Sequence, residues 1–467
     1  MKHSAVNIFS IQKDYLNLES SLIEVCGWVR TSRRSKNVAF VEINDGSSLT
    51  NLQLVASVEN IKTFPQFEKV SVGSAVKAKG TLVLTGKENQ PFELKIEDFS
   101  IIGESAKDYP LQKKHHTLEF LRTIAHLRPR TNTYSAIFRV RSAAAFAIHS
   151  FFNKEGFIYV HTPILTGSDC EGAGEMFTVT SFDLKDIQKN PKTGEVNYSE
   201  DFFGKHASLT VSGQLEGECM AMALGKIYTF GPTFRAEKSY TGRHAAEFWM
   251  IEPEMAFVDL EGNMQNAQNM IKYVVKYVLE NCKQEIEFFN KFYERDLLNK
   301  LNSLVSSNFE KISYTKAIEI LESSNENFQY KPSWGIDLQT EHERFLTEKI
   351  FKKPVFVVDY PKDIKSFYMK QNADGKTVAA MDLLAPGIGE IIGGSEREAD
   401  YETLLNRMNE LNLKVGDYWW YLDLRKYGSA VHSGYGLGFE RLIMYLTGIS
   451  NIRDALPFPR TTGNLEF

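Results

Sequence analysis

The sequence predicts an α+β protein: a small five-stranded β-barrel first, then a larger domain built on an antiparallel sheet flanked by helices. Three observations predict it. Between residues 20 and 103, polar and apolar positions alternate by two between turn signals. At Tyr134 the period becomes helical. Beyond that helix, strand-like runs recur without the regular strand–helix alternation of a parallel sheet. A chain of 467 residues is too long for one ordinary core and suggests about three units of ~150 residues. Hydrophobic content of 43% with 24% charged residues excludes a mainly disordered chain. No 18-residue apolar run exists and Met1-Lys2-His3-Ser4 lacks an apolar signal core, so neither membrane spanning nor export is expected. Cys26, Cys170, Cys219 and Cys282 show no CxxC spacing, which argues against a zinc ribbon or disulfide framework and for a reducing, cytoplasmic location.

The front segment justifies its barrel strand by strand. Residues 21–30 and 38–43 alternate, Asn44-Asp45-Gly46 turns the chain, and 49–56 continues it. Gly73-Ser74 and Thr85-Gly86-Lys87 punctuate the next strands, and 92–96 begins the last. Five strands in ~85 residues fit a closed barrel of the OB type, with an SH3-like barrel as the alternative. Residues 1–130 carry 18 Lys and Arg against 14 Asp and Glu, within a chain of net charge −5. A mildly basic front on an acidic body hints at a polyanion-binding module.

Residues 104–130 are charged and rich in His and Arg, as a hinge would be. In the following helix Ile137, Val140, Ala144, Ile148 and Phe151 share a face; Gly156 stops it, and a strand at 157–160 leads to Pro163. Strand-like runs follow near 208–212, 226–230, 247–257, 355–359, 377–384 and 389–392, with helical patterns near 259–281 and 396–411.

Three stretches carry chemistry. Phe234-Arg235-Ala236-Glu237, then Arg243-His244 and Phe248, form a hairpin with two arginines flanking a polar loop. Two fixed guanidiniums there could clamp separate phosphates while an aromatic face takes a base; a surface hairpin with ion pairs is the plainer alternative. Asp382 and Glu390 are joined by a Pro386-Gly387 turn that folds one strand onto the next. Paired carboxylates among apolar residues call for a cation, and magnesium needs only one or two of them beside phosphate oxygens and water. Alternatively Asp382 caps a turn and Glu390 pairs with Arg397. Finally, Gly434-Tyr435-Gly436-Leu437-Gly438 runs into a helix with Arg441 in its first turn, a place suited to polyphosphate.

Together and in this order, these pieces resemble motifs 2 and 3 of the class II aminoacyl-tRNA synthetases. The helix and strand ending at Pro163 resemble motif 1, the dimerisation element. The front barrel, residues 234–237 and Leu456-Pro457-Phe458-Pro459-Arg460 are similar to the aspartate/asparagine/lysine subgroup. The resemblance spans essentially the whole chain. It implies an OB-fold anticodon-binding domain at 1–103, a hinge at 104–130 and a class II catalytic domain at 131–467 with a helical insertion at about 282–335. It also implies a homodimer that uses ATP, Mg²⁺ and a tRNA.

The choice of amino acid turns on Val211-Ser212-Gly213-Gln214-Leu215-Glu216-Gly217-Glu218. Aspartyl members typically carry a lysine where this chain has Gly217, and that lysine faces the substrate carboxylate. Here Glu218 follows instead. Opposite a carboxylate at ~4 Å it would cost about 4 kcal/mol at an effective dielectric near 20. Residues 169–177 and 389–397 are also similar to asparaginyl members, so L-asparagine and tRNA-Asn are the substrates implied.

The resemblance further implies roles. Glu171 and Gln214 hold the α-amino end, with Ser212 and Glu252 in support. Glu218 accepts from the side-chain NH₂ and Arg397 donates to its oxygen. Arg235 bridges the α-phosphate and the substrate carboxylate; Glu237 accepts from adenine, Phe248 lies under the ring, and Arg441 lies above it or at the γ-phosphate. Arg243 and His244 meet the outer phosphates, and Asp382 and Glu390 hold magnesium. Arg235, Arg441 and Glu390 form the catalytic set. On the barrel, Phe40 and Gln53 match positions facing anticodon bases, and Arg30, Arg33 and Arg34 supply phosphate contacts. Three rivals remain: an aspartyl enzyme, including one that also charges tRNA-Asn; an ammonia-dependent asparagine synthetase, which lacks the barrel; and a non-catalytic RNA-binding paralogue, which usually loses motif residues kept here.

Overall fold

The computed structural model describes residues 5–59, 64–170 and 175–467. Two compact units divide it, residues 1–138 and 139–467. Among the described residues no helix is long and apolar enough to cross a membrane.

In the first unit, five strands close into a barrel: Leu22–Arg34, Val38–Asn44, Leu52–Ser57, Gln90–Gly103 and Ala75–Lys87, in that spatial order. Period-two alternation puts Val25, Val41, Leu54, Ala78 and Leu94 wholly inside. Closure demands close approach of two strands at Gly80, where a Cβ would lie 2.1 Å from the Lys95 carbonyl oxygen. The helix Ile8–Asp14, capped by the Asn7 side chain, adds Ile8 and Ile11 to the same core. Its single turn pair is too short to stand out by periodicity. Residues 104–130, read as a hinge, contain the helix Leu118–Thr123 and a helical turn Arg128–Arg130, with Arg128 buried against the Tyr134 hydroxyl at 3.0 Å.

The second unit holds an eight-stranded sheet. Its order is Glu310–Ser313, Val355–Pro361, Thr377–Ala385, Gly389–Glu396, His432–Gly438, Glu247–Ala256, Lys226–Phe234 and Ile158–Tyr159. The six central strands pair antiparallel and each edge strand pairs parallel. The Asp259-capped helix Leu260–Asn281 covers one face, and its Asn263 side chain donates to the Gly434 carbonyl at 2.8 Å. Such a bond pins the glycine-spaced strand to the helix above it.

Two boundaries differ from the sequence reading. The strand expected to stop near 392 continues to Glu396, and the helix expected from 396 begins at Tyr401 behind the Asp400 cap. Pairing of Ser395 with Gly434 and Glu396 with Ser433 holds those residues in the sheet, overriding the helical propensity of Glu396. The stretch at 282–335 contains three helices, and also supplies the edge strand Glu310–Ser313 to the main sheet.

Candidate active site

The hairpin of Lys226–Phe234 and Glu247–Ala256 sets the site. Its register pairs Phe234 with Glu247 and Thr233 with Phe248. Arg235 leaves the strand end with its backbone N–H donating to the Ala246 carbonyl at 3.0 Å, and its guanidinium lies 5.6 Å over the Phe248 ring. A cavity of about 190 Å³ opens there, lined by Arg235, Glu237, Arg243, His244, Phe248, Glu390 and Arg441. Seven residues from three separated sequence stretches thus meet around one space. Arg243 is steadied by its Nη1 donating to Thr340 at 2.7 Å. Arg441, in the first turn of Phe439–Thr447, donates Nη1 to the Glu390 carbonyl at 2.8 Å and faces its carboxylate at 3.4 Å.

A second cavity, of about 250 Å³, shares Arg235, Met250, Glu390 and Gly436 with the first. Ser212, Gln214, Glu252, Glu254, Lys365, Asp382 and Arg397 contribute to its polar lining. At one end Glu252 accepts from the Ser212 hydroxyl, from Thr229 at 3.0 Å and from the Gly213 N–H at 3.1 Å. Ser212 therefore orients a carboxylate as well as lining the space.

At the junction stand Asp382 and Glu390. A Cβ added at Gly393 would meet Glu390 Oε1 at 3.1 Å and Asp382 Oδ1 at 3.4 Å, so both carboxylates converge over a bare patch of backbone. That cradle fits a small divalent cation sharing its remaining positions with phosphate and water. Lys365 Nζ lies 2.8 Å from Asp382 Oδ2 and 4.0 Å from the Tyr360 ring centroid. Burial raises the Asp382 carboxyl, with Lys365 pulling the other way. Burial would also raise Glu390, but Arg441 and Lys365 hold it below the ordinary range. Glu343, whose Oε2 accepts from the Glu390 N–H at 3.1 Å, is pushed up to about 7 by burial and then by Glu390.

The far wall departs from the sequence reading. Arg397 lines the cavity as expected, donating to the Ser395 hydroxyl at 2.8 Å and to both oxygens of Glu254, at 2.5 and 3.2 Å. Glu218 does not line either cavity, and direct contact with a substrate amide is corrected accordingly. It lies behind Arg397 with no exposed surface, its oxygens already taken by Gln214 at 3.0 Å, Tyr421 at 2.8 Å, Arg425 at 2.8 Å and His432 at 2.9 Å. Two oxygens offer about four acceptor positions, so none is left for a ligand. Glu254 was missed, although it sits two residues beyond Glu252 on one strand and so shares its face. Tyr421, Arg425 and His432 carried no local signal. Glu171 lies outside the described residues.

On the barrel, cross-strand rows place Arg33, Phe40 and Val55 side by side, and Thr31, Glu42 and Gln53 in the next row of the same outer face. Phe40 is 44% exposed, unusual for a phenylalanine on a strand. Two arginines depart from the expected free patch: Arg30 is half-buried and donates to Asn132, and Arg34 pairs with Glu68 at 2.9 Å.

A barrel of this type and an antiparallel sheet presenting two arginines and a carboxylate pair define a class II synthetase. The family model described as tRNA synthetases class II (D, K and N) matches residues 117–462, and the OB-fold nucleic acid binding domain model matches 23–102. An asparagine–tRNA ligase of Acetivibrio thermocellus is 60% identical over 461 residues, covering 99% of this chain and 98% of its own. One of Alkaliphilus oremlandii is 61% identical over 445 residues, covering 95% and 96%. Among solved structures, asparaginyl-tRNA synthetase from Pyrococcus horikoshii complexed with asparaginyl-adenylate is similar at 36% identity and a TM-score of 0.87, covering 99% of each chain. The chain belongs to the asparagine–tRNA ligase family of the class II synthetases.

Proposed function

We propose that the protein activates L-asparagine with ATP and transfers it to tRNA-Asn. The observation carrying this reading is that two cavities meet at Arg235 and Glu390, one suited to a nucleotide and one closed by a charge-balanced wall suited to an amide. In the first step the asparagine carboxylate attacks the α-phosphorus of ATP, giving asparaginyl-adenylate and pyrophosphate. Arg235, at the junction, steadies the charge growing between carboxylate and phosphate. Phe248 and Glu237 receive adenine, and Arg243, His244 and Arg441 the outer phosphates. Asp382 and Glu390 would hold Mg²⁺, which supplies neutralisation of polyphosphate charge.

Gln214 and Glu252 hold the ammonium end, and Arg397 donates to the side-chain oxygen. In the second step a terminal ribose hydroxyl of the tRNA attacks the mixed anhydride and releases AMP. Residues 1–103 read the anticodon through Phe40, Gln53 and Arg33, while 131–467 perform the chemistry. Exposed apolar side chains at Phe146, Ile158 and Tyr159 support dimerisation through the helix and strand ending at Pro163. Four free cysteines fit a reducing cytoplasm.

The experiment that tests the reading is ATP–pyrophosphate exchange with asparagine and with aspartate. Exchange dependent on asparagine is expected; equal exchange with aspartate would replace it by an aspartyl or non-discriminating enzyme.

A further inference from the structure

Behind Arg397 lies a second guanidinium that lines neither of these two cavities. Arg425, from the last turn of Trp419–Lys426, has a fully buried side chain. Its Nε donates to the Glu398 carbonyl at 2.9 Å and its Nη2 to Glu218 at 2.8 Å, so the planar fork is fixed at both ends. On the opposite side, Glu218 Oε1 stands 3.9 Å from Arg397 Nε, and Arg397 in turn is gripped by Glu254. Charges therefore alternate through the wall: Glu254, Arg397, Glu218, Arg425.

We propose that Arg425 is a specificity-determining positioning residue: by pairing with Glu218 it fixes a negative charge behind Arg397, so that Arg397 offers donors to an uncharged amide but little net attraction to a carboxylate. The inference rests on the asparagine reading of the cavity. A buried carboxylate that loses its nearest cation is driven towards taking up a proton and losing its charge. Burial acts on Glu218 in that direction, yet Arg425, then His432 and Arg397, together outweigh it and hold the carboxyl well below its usual range. Were Glu218 neutral, Arg397 would lose one of the two carboxylates that face it and be answered by Glu254 alone. The positive charge of Arg397 would then be less screened at the cavity surface, which is what a substrate carboxylate seeks. Removing Arg425 thus changes what the cavity accepts without changing any group that lines it.

The test compares full-length wild type, Arg425→Gln, Arg425→Lys and the double variant Glu218→Gln/Arg425→Gln in ATP–pyrophosphate exchange. Each is assayed with asparagine and with aspartate. Arg425→Gln should narrow the asparagine-over-aspartate ratio of kcat/KM by at least about tenfold, with the KM for ATP unchanged. Arg425→Lys, which retains the charge, should keep most of the wild-type ratio. The double variant exchanges a buried ion pair for two neutral amides, a change that buried cores tolerate better than a lone charge, and should show the same narrowed ratio. Equal losses with both amino acids, in either folded variant, would mark Arg425 as merely structural and overturn the proposal. A wild type that uses aspartate as readily as asparagine would instead sink the functional reading itself.

Discussion

Two corners of the same cavity handle buried carboxylates in opposite ways. In the far wall Glu218 and Glu254 face Arg397 and Arg425, so negative and positive groups match one for one. At the junction three carboxylates, Asp382, Glu390 and Glu343, are met by Lys365 and by Arg441, whose shorter contact is to a backbone carbonyl. A matched set exerts little pull on a charged ligand and selects by hydrogen bonding. A set with surplus acid attracts a cation. Desolvation makes both arrangements costly, so the difference between them reads as a difference in ligand.

Arg235 belongs to both cavities, so its loss should erase the distinction altogether. Arg235→Ala is expected to slow asparagine-dependent exchange by about 100- to 1,000-fold, measured at saturating ATP. Breaking the wall alone is a smaller change. A Cβ at Gly434 would come within 2.2 Å of the Glu254 carboxylate, so Gly434→Ala should cost about 1–3 kcal/mol in thermal unfolding and raise the KM for asparagine more than that for ATP. Perturbing only the acidic corner should do the reverse. Glu390→Gln is expected to raise the magnesium concentration giving half-maximal exchange by about tenfold while leaving the asparagine-over-aspartate ratio intact. Smallest of all in this assay is Phe40→Ala, on the barrel. Exchange should be unchanged, and the KM for tRNA should rise about tenfold through lost stacking.

What the sequence disclosed follows the range of the interactions. Strands and turns of the barrel obey local alternation, and the arginine hairpin and the Asp382–Glu390 turn are contiguous stretches whose partners lie close along the chain. Those elements were legible. The wall was not, because Arg425 meets Glu218 across 207 positions and His432 meets it across 214. No periodicity links residues so far apart. Glu218 shows the consequence: its position beside the missing aspartyl lysine was readable, but whether it touches substrate or a neighbouring guanidinium depends on which donors the fold delivers to it. Similarly, Glu396 looks helical in isolation and is strand because Ser433 pairs with it.

If a neutral wall selects a neutral side chain, equilibrium binding registers it without catalysis. Non-hydrolysable analogues of asparaginyl-adenylate and aspartyl-adenylate differ at that wall and nowhere else. Calorimetric titration of the wild-type protein should give a dissociation constant at least about a hundredfold lower for the asparaginyl analogue. Equal affinity for the two would mean that the wall's charge balance does not select the side chain.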